Sequence, residues 1–222
     1  MVNIKVLAIG AHGDDLELSC FGTLAKHIQS GDSVHCLILS RGGLSRDHTD
    51  LSLVQEILGN IKQSMKLLGA TYTVLDFPDQ QFDVVPQIKI NKAIEAEIKK
   101  TQAEVVYVHT KNCLNRDHII THDATMVACR PVNTTVKEVY CFEVLSATEW
   151  SVDVFDPRLF IDITSVLPLK VEASMIYCNE MREYPHSRSK EGIEYLARAR
   201  GIQSGLEASE AFEVIRMIRG TK

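Results

Sequence analysis

Short apolar runs alternate with longer amphipathic segments through the first two thirds of the chain. The runs KVLAIG, SVHCLILS, YTVLDF and EVVYVHT are short and apolar, as buried strands are. Between them lie segments with helical periodicity, such as DLSLVQEILGNIKQSMKLLG. Strands that alternate with helices form a mostly parallel sheet, because right-handed crossovers return the chain to the same end of the sheet. We therefore predict an α/β fold with helices on both faces of that sheet.

One domain is the simplest organisation for a chain of this length. The 222 residues, 45% of them hydrophobic, are enough for one sizeable core. The sequence contains no internal repeat, low-complexity tract or long linker, and its last third is predicted as a strand, KEVYCFEVL, followed by helices. We therefore assign residues 1–222 to a single domain.

Composition excludes several kinds of partner. The net charge is −5 and there is no basic stripe, so neither nucleic acid nor an anionic membrane surface is an expected partner. No apolar run approaches the ~18–20 residues of a membrane-spanning helix. The start MVNIKVLAIGAHGDD reaches its acidic pair too early for a signal peptide, and the six cysteines form no C-x-x-C pair. We expect a cytoplasmic protein with reduced thiols.

The first predicted strand ends in an imidazole and two adjacent carboxylates, at residues 12–15. In open α/β sheets, ligands bind beyond the carboxyl ends of the strands. A second polar segment, TKNCLNRDH, follows the fourth strand and emerges at the same edge. We predict that helix one runs from about Leu18–Cys20 to Gly31, and that a later helix begins near His118 and ends before Pro131.

Three of these side chains have the chemistry of an open zinc site. His12, Asp15 and His118 supply two imidazoles and a carboxylate, which leave one coordination position for water. Asp14 is then placed to take a proton from that water. The same residues also permit a simpler interpretation, in which Gly and Asp form a turn and His118 lies at a helix start. His122, four residues after His118, is predicted to pack beside the ligands rather than join them.

The segment AHGDDLELSCFGT resembles the hallmark A-H-P-D-D, often continued I-E-L-G-C-G-G-T, of the zinc-dependent N-deacetylases called the LmbE-like or PIG-L family. NRDH stands where that family has H-x-D-H. LDFPDQQFD, FEVLSATEW and YPHSRS resemble a bacterial subgroup whose second motif also reads N-x-D-H. The resemblance spans nearly the whole chain. It implies a Rossmann-like fold, Zn²⁺ or another divalent metal on His12, Asp15 and His118, and Asp14 as the general base.

Two departures from the family pattern matter. Gly13 replaces the proline of the first motif, and Asn115 replaces the first histidine of the second. An amide donates a hydrogen bond to an oxyanion but cannot deliver a proton at neutral pH. We therefore predict His186 as the proton donor and Arg188 as a substrate or oxyanion contact. The alternative is a surface turn in which Arg188 pairs with a nearby glutamate.

Other polar residues are predicted near the ligand edge with less support. Arg41 and Arg46 follow the second strand and are candidates for contacts to a sugar hydroxyl or a phosphate. The alternative is that both are solvated loop charges. His109, which closes a strand, and Glu17, at a helix start, are weaker candidates for the lining of the pocket. Asp79, in PDQQ after the third strand, is a weaker candidate for a substrate contact, and a role in a turn is favoured for it.

These observations predict a zinc-dependent hydrolase that removes an N-acetyl group from an N-acetylglucosamine-type amino sugar or a small conjugate of one. Two alternatives stay open. In the first, the change at Asn115 leaves a catalytically weakened sugar-binding or regulatory module. In the second, the protein keeps the metal but cleaves a different amide, with an N-formyl or longer N-acyl group in place of acetyl. Members of the family frequently form homo-oligomers, but the sequence does not specify an oligomeric state.

Overall fold

The structure is a computed structural model that describes residues 3–43 and 51–220. Within these ranges seven strands form one sheet: β1 Lys5–Gly10, β2 Ser33–Ile38, β3 Thr71–Val74, β4 Val105–His109, β5 Glu138–Phe142, β6 Leu159–Asp162 and β7 Ser209–Met217. The α-helices are α1 Asp15–Ser19, α2 Phe21–Gln29, α3 Leu51–Leu68, α4 Gln87–Thr101, α5 Arg116–Ala128, α6 Leu167–Met175 and α7 Lys190–Ser204. None of these described helices is long and apolar enough to cross a bilayer.

The strand order is β3-β2-β1-β4-β5-β7-β6. The first five strands of this order are parallel, whereas β7 is antiparallel to both β5 and β6. This arrangement confirms the predicted α/β fold, and all four apolar runs predicted as strands lie in the sheet. The prediction of helices alone after KEVYCFEVL was wrong, because β6 and β7 also follow. β7 was missed because Glu210 and Glu213 interrupt its apolar pattern.

Both faces of the sheet are covered by helices. In β1, Val6 and Ala8 point into one apolar cluster while Leu7 and Ile9 point into the other. Helices α1, α2, α3, α6 and α7 build the first cluster, and α4 and α5 build the second. A strand buried on both faces reads as a continuous apolar run, which explains why the sequence pattern located β1, β2 and β4. β3 is an edge strand and is partly exposed.

The first helical segment is divided into two helices, where one was predicted. Asp15 lies in the first turn of α1, three residues before the expected start, and Cys20 separates α1 from α2. No side chain caps α2 locally. Instead, the backbone N–H groups of Gly22 and Thr23 donate to the carboxylate of Glu210 on β7, at 2.9 and 2.7 Å. A carboxylate close to 190 residues away in sequence therefore caps this helix.

Glu210 is paired with a buried lysine. Lys170 Nζ donates to Glu210 Oε1 at 2.6 Å and to the carbonyl oxygen of Ser19 at 2.7 Å. The side chains of Lys170 and Glu210 are only 5% and 4% exposed. The pair joins α6 and β7 to the junction of α1 and α2, directly behind the first polar segment.

We expect Lys170→Met to lower the free energy of unfolding by about 3–5 kcal/mol, because it leaves a carboxylate buried without its cation. Urea denaturation followed by circular dichroism measures this. Lys99→Met, at an exposed position on α4, is the matched control and should change stability by less than about 0.5 kcal/mol. Equal destabilisation by the two substitutions would contradict this account of the ion pair.

Candidate active site

The loops that follow β1 to β4 meet at one edge of the sheet and form a cleft of about 110 Å³. This is the carboxyl edge of the parallel strands, where α/β sheets bind ligands. The two polar segments predicted to share this edge do so. The described residues that line the cleft are His12, Gly13, Asp14, Gly42, Gly43, Leu53, Ile57, Asp79, Gln80, Asn115, His118, Tyr177, Glu180 and Arg188.

His12, Asp15 and His118 bring their donor atoms together at the base of the cleft. His118 Nε2 lies 3.3 Å from His12 Nδ1 and 3.2 Å from Asp15 Oδ1. His12 Nδ1 lies 3.6 Å from the other oxygen of Asp15. Three ligands about 2.0–2.1 Å from a tetrahedral Zn²⁺ are about 3.4 Å apart. The spacing of these donors therefore suits a divalent cation between them.

Asp15 is buried and has one oxygen without a hydrogen bond. Its Oδ2 accepts the backbone N–H of His12 at 2.7 Å and lies 3.1 Å from His109 Nε2. Its Oδ1 has no hydrogen-bond partner among the described residues. Burial opposes ionisation, but the charges of His118 and His109 hold the pKa of Asp15 well below its usual range. An ionised oxygen that points into the donor set fits a metal ligand.

His118 presents its Nε2 atom because its other ring nitrogen is engaged. Nδ1 lies 3.2 Å from the sulfur of Cys113, and the ring stacks on His109 with centroids 4.0 Å apart. Burial lowers the pKa of His118 to about 4, and the neighbouring His109 adds to this effect. The imidazole is therefore neutral at physiological pH, as metal coordination requires.

His12 is held from its opposite side by two carboxylates. Its Nε2 lies 3.2 Å from Asp117 Oδ2 and 3.3 Å from Asp79 Oδ1. Burial lowers the pKa of His12, but hydrogen bonds to Asp117 and Asp15 outweigh it and raise the pKa to about 10. A cation bound at Nδ1 therefore competes with a proton, while Nε2–H stays with the carboxylates.

Asp14 lines the cleft next to this donor set and pairs with Arg188. Arg188 Nη1 donates to Asp14 Oδ2 at 2.7 Å, and Arg188 Nε donates to Ser146 Oγ at 2.6 Å. Glu180 Oε2 lies 3.7 Å from the same guanidinium. Burial would lower the pKa of Arg188, but the carboxylates around it, Asp14 first, raise it. The sequence predicted both residues at the site but not their ion pair.

Asn115 caps α5, which begins at Arg116 rather than at His118 as predicted. The Asn115 side-chain oxygen accepts the backbone N–H of Asp117 at 2.9 Å. Because the carbonyl oxygen is used in the cap, the amide NH₂ is the group that Asn115 offers to the cleft it lines.

Two of the predicted site residues, His186 and Arg41, are absent from the described lining of the cleft, and a third lies outside the residues that the structure describes. His186 Nδ1 accepts the backbone N–H of Arg188 at 3.0 Å, and its ring contacts Trp150 with centroids 5.6 Å apart. Arg41 Nε lies 3.3 Å from Asp76 at the exposed surface. The third residue is Arg46.

Two further predictions concern residues beside the donor set. His122 is buried, its Nδ1 lies 3.0 Å from Asp123 Oδ1, and it is not in the group formed by His12, Asp15 and His118. Gly13 stands where the family has proline. A Cβ atom there would lie 3.1 Å from Ile61 and 3.2 Å from Ile57 of α3, so a side chain at this position requires these isoleucines to shift slightly.

Glu17 is fully buried below the cleft. Its Oε1 accepts hydrogen bonds from Ser64 Oγ and, at 3.1 Å, from the hydroxyl of Tyr177, which lines the cleft. Burial raises the pKa of Glu17 from 4.5 to about 8, and the charge of Asp14 adds to this effect. The protonated form of Glu17 is therefore well populated near neutral pH.

Sequence reasoning undervalued the residues that support the donor set. His109 was a weak candidate for the pocket lining, but it lies behind His118 and beside Asp15. Asp117 was not assigned a role, although it is the third residue of the N-x-D-H segment. The N-x-D-H motif was the available signal, because it places Asp117 in the first turn of α5, two residues after the cap Asn115.

The chain matches one protein family by sequence. The family model described as GlcNAc-PI de-N-acetylase (PIG-L) matches residues 7–129. A curated relative from Escherichia coli (strain K12), the uncharacterized deacetylase YaiS, is 31% identical over 136 residues, which cover 57% of this chain and 69% of the relative.

Two solved structures have the same fold at low identity. The N,N'-diacetylchitobiose deacetylase of Pyrococcus horikoshii has a TM-score of 0.78 and 17% identity, and the match covers 95% of this chain and 83% of that one. The 4-carboxy-2-hydroxymuconate hydratase of Pseudomonas putida has a TM-score of 0.78 and 21% identity, and the match covers 99% of each chain. A deacetylase and a hydratase therefore share this architecture, so the fold alone does not determine the reaction.

We expect His118→Ala to abolish stoichiometric metal binding, because it removes a ligand whose lone pair faces the other two donors. His122→Ala is the matched control, since it removes an imidazole from the same helix outside the donor set. Metal content after dialysis against Zn²⁺, measured by atomic emission, distinguishes the two. Loss of metal from His122→Ala with retention in His118→Ala would contradict the assigned ligands.

We expect the contribution of Glu17 to the stability of the wild type to fall as pH rises from about 5 to 8. Folding takes up a proton at Glu17 in this window, because its pKa is near 4.5 unfolded and about 8 folded. Glu17→Gln keeps the neutral shape without titrating, so its melting temperature should fall at least about 3 °C less over the same range. Glu172→Gln, exposed on α6, is the control and should follow the wild type. Parallel pH profiles for all three proteins would contradict the assignment.

Proposed function

The chain belongs to the GlcNAc-PI de-N-acetylase (PIG-L) family, and from that premise we propose that it hydrolyses the N-acetyl group of an N-acetylglucosamine-type amino sugar or of a small conjugate. The observation that carries the proposal is the position of Asp14, a carboxylate in the cleft, adjacent in sequence to the donor set. We propose further that residues 1–222 form one deacetylase domain, since one sheet takes strands from residues 5 to 217.

His12, Asp15 and His118 would hold Zn²⁺ or another divalent cation. The fit rests on the donor spacing, on the neutral His118 and on the buried Asp15 Oδ1, which lies 3.2 Å from His118 Nε2 without a hydrogen bond. Two imidazoles and one carboxylate suit several first-row metals, so the set does not select zinc by itself. When bound, the metal would polarise the amide carbonyl and make water more acidic.

Asp14 is assigned as the general base. Arg188 engages its Oδ2, which fixes the carboxylate and leaves Oδ1 to accept a proton from the attacking water. The hydroxide formed in this way adds to the carbonyl carbon of the acetamido group. Arg188 is itself held by Ser146 Oγ at 2.6 Å, so the group that orients the base is fixed in turn.

Asn115 and Arg188 are assigned to the developing negative charge. The Asn115 NH₂ group and the guanidinium both line the cleft, and each donates hydrogen bonds without losing a proton. Asn115 thereby replaces the hydrogen-bonding role of the family histidine, although it cannot replace an acid.

Asp14 is also assigned as the acid that protonates the leaving amine. Among the described residues that line the cleft, the imidazoles are those of His12 and His118, both in the donor set. Asp14 holds the proton taken from water, and its transfer to nitrogen lets the C–N bond break into acetate and a free amine. His186 then has a supporting role, since it accepts the N–H of Arg188 and thus positions the guanidinium.

The comparisons support a substrate of the amino-sugar class. The matching family model describes a de-N-acetylase of a GlcNAc conjugate, and one structural neighbour is named for an acetylated chitobiose. The cleft volume of about 110 Å³ suits an acetamido group together with part of one sugar ring. The remainder of a conjugate would then lie outside the described walls.

Acetate release from a panel of N-acetylglucosamine conjugates tests the proposal. We expect release by the purified protein, its loss after chelation and its recovery when Zn²⁺ is returned. Asp14→Asn should lower kcat by about 10²–10⁴-fold, because it removes the base without altering the metal ligands. Asp153→Asn, at an exposed loop position, should leave kcat unchanged.

Metal binding without release from any conjugate would contradict the proposal. It would favour a sugar-binding module weakened at Asn115, or a different acyl group, and competition by N-formyl and longer N-acyl sugars would separate these two. Full activity of Asp14→Asn would contradict its assignment as the base.

A further inference from the structure

Two carboxylates face the side of His12 that points away from the donor set. Asp117 Oδ2 and Asp79 Oδ1 lie 3.2 and 3.3 Å from Nε2. Asp79 is 4% exposed and Asp117 is 1% exposed, so both are nearly withdrawn from solvent. The amide nitrogen of Gln80 lies 3.3 Å from the same ring nitrogen. The two carboxylates therefore enclose this side of His12 and accept its ring N–H, whereas the Gln80 amide nitrogen is itself a donor and does not accept it.

Asp117 is already committed to other elements. Its Oδ1 accepts the backbone N–H of Phe82 at 3.0 Å, which ties the start of α5 to the segment after β3. Its own backbone N–H donates to the cap residue Asn115. The position of Asp117 is thus fixed by its helix, and its remaining oxygen reaches His12.

Asp79 comes from a separate element, a tight turn after β3. The N–H of Gln81 donates to the carbonyl oxygen of Pro78 at 3.2 Å and closes the turn. Gln80 has φ of 55°, a left-handed conformation that costs a non-glycine residue about 1 kcal/mol. A strained turn persists where surrounding contacts fix it. Here the turn directs a nearly buried carboxylate to His12.

We propose that Asp79 is a positioning residue that, with Asp117, fixes the His12 ring so that Nδ1 faces the metal. A metal-bound imidazole is oriented by the acceptor of its other N–H, and loss of such a partner typically weakens metal binding about 10–100-fold. The inference rests on the proposed function only in taking His12 as a ligand. In this inference Asp79 orients a metal ligand. In the two interpretations made from the sequence, Asp79 contacts the substrate or only forms a turn.

The test compares Zn²⁺ affinity of four proteins by competition with a chromophoric chelator. We expect Asp79→Ala to weaken binding about 10–100-fold. Asp79→Asn should be intermediate, because its amide oxygen still accepts the N–H. Asp76→Ala is the matched control, since Asp76 lies on the same loop, is 71% exposed and pairs with Arg41 outside the cleft. This control should bind Zn²⁺ as the wild type does.

Kinetics separate a positioning role from a substrate contact. When Zn²⁺ is limiting, a smaller fraction of Asp79→Ala holds the metal, so kcat should fall. The enzyme that does hold the metal binds substrate normally, so KM should stay within about twofold and kcat/KM should fall as much as kcat. Thermal unfolding checks that Asp79→Ala folds, and Asp79→Asn tests the inference if it does not.

The outcomes distinguish this inference from the proposed function. Wild-type Zn²⁺ affinity in both Asp79 variants, with KM raised, would make Asp79 a substrate contact and overturn the inference alone. A wild-type protein that binds none of Zn²⁺, Co²⁺ or Mn²⁺ would overturn both.

Discussion

The buried carboxylate of Asp15 is the interaction on which the site depends. It lies in the first turn of α1, after β1, with 1% exposure, and a charge so placed must be paired within the protein. The partners come from His12 in its own loop, His109 at the end of β4 and His118 on α5. Because β1 and β4 are neighbours in the sheet, this one charge joins their two loops and fixes the three imidazoles around it.

The C-terminal third is tied to the first polar segment by charges as well as by apolar packing. Glu210 caps α2 and pairs with Lys170, and Arg188 pairs with Asp14 across 174 residues of sequence. Arg188 holds the start of α1, the short helix that carries Asp15, and Lys170 and Glu210 hold the junction of α1 and α2. The region beyond the family match therefore helps to place the residues within it.

The described cleft divides into two parts along the sequence. The donor set, Asp14 and Asn115 lie within residues 7–129, the range that the family model matches. Tyr177, Glu180 and Arg188, which line the opposite wall, lie beyond it. The solved members of this fold include both a deacetylase and a hydratase, so the reaction has to be argued from the residues of both parts rather than from the fold.

The sequence by itself determined the parallel strands and the donor set, because these depend on local patterns. A strand buried on both faces is a continuous apolar run, and His12, Asp15 and His118 lie in two short motifs that follow such runs. The break between α1 and α2, the antiparallel strands β6 and β7, and the partners of Asp14 and His12 were decided only by the tertiary structure. Each of these depends on contacts between groups distant in sequence, such as Glu210, Arg188 and Asp79. A local sequence pattern does not predict such contacts.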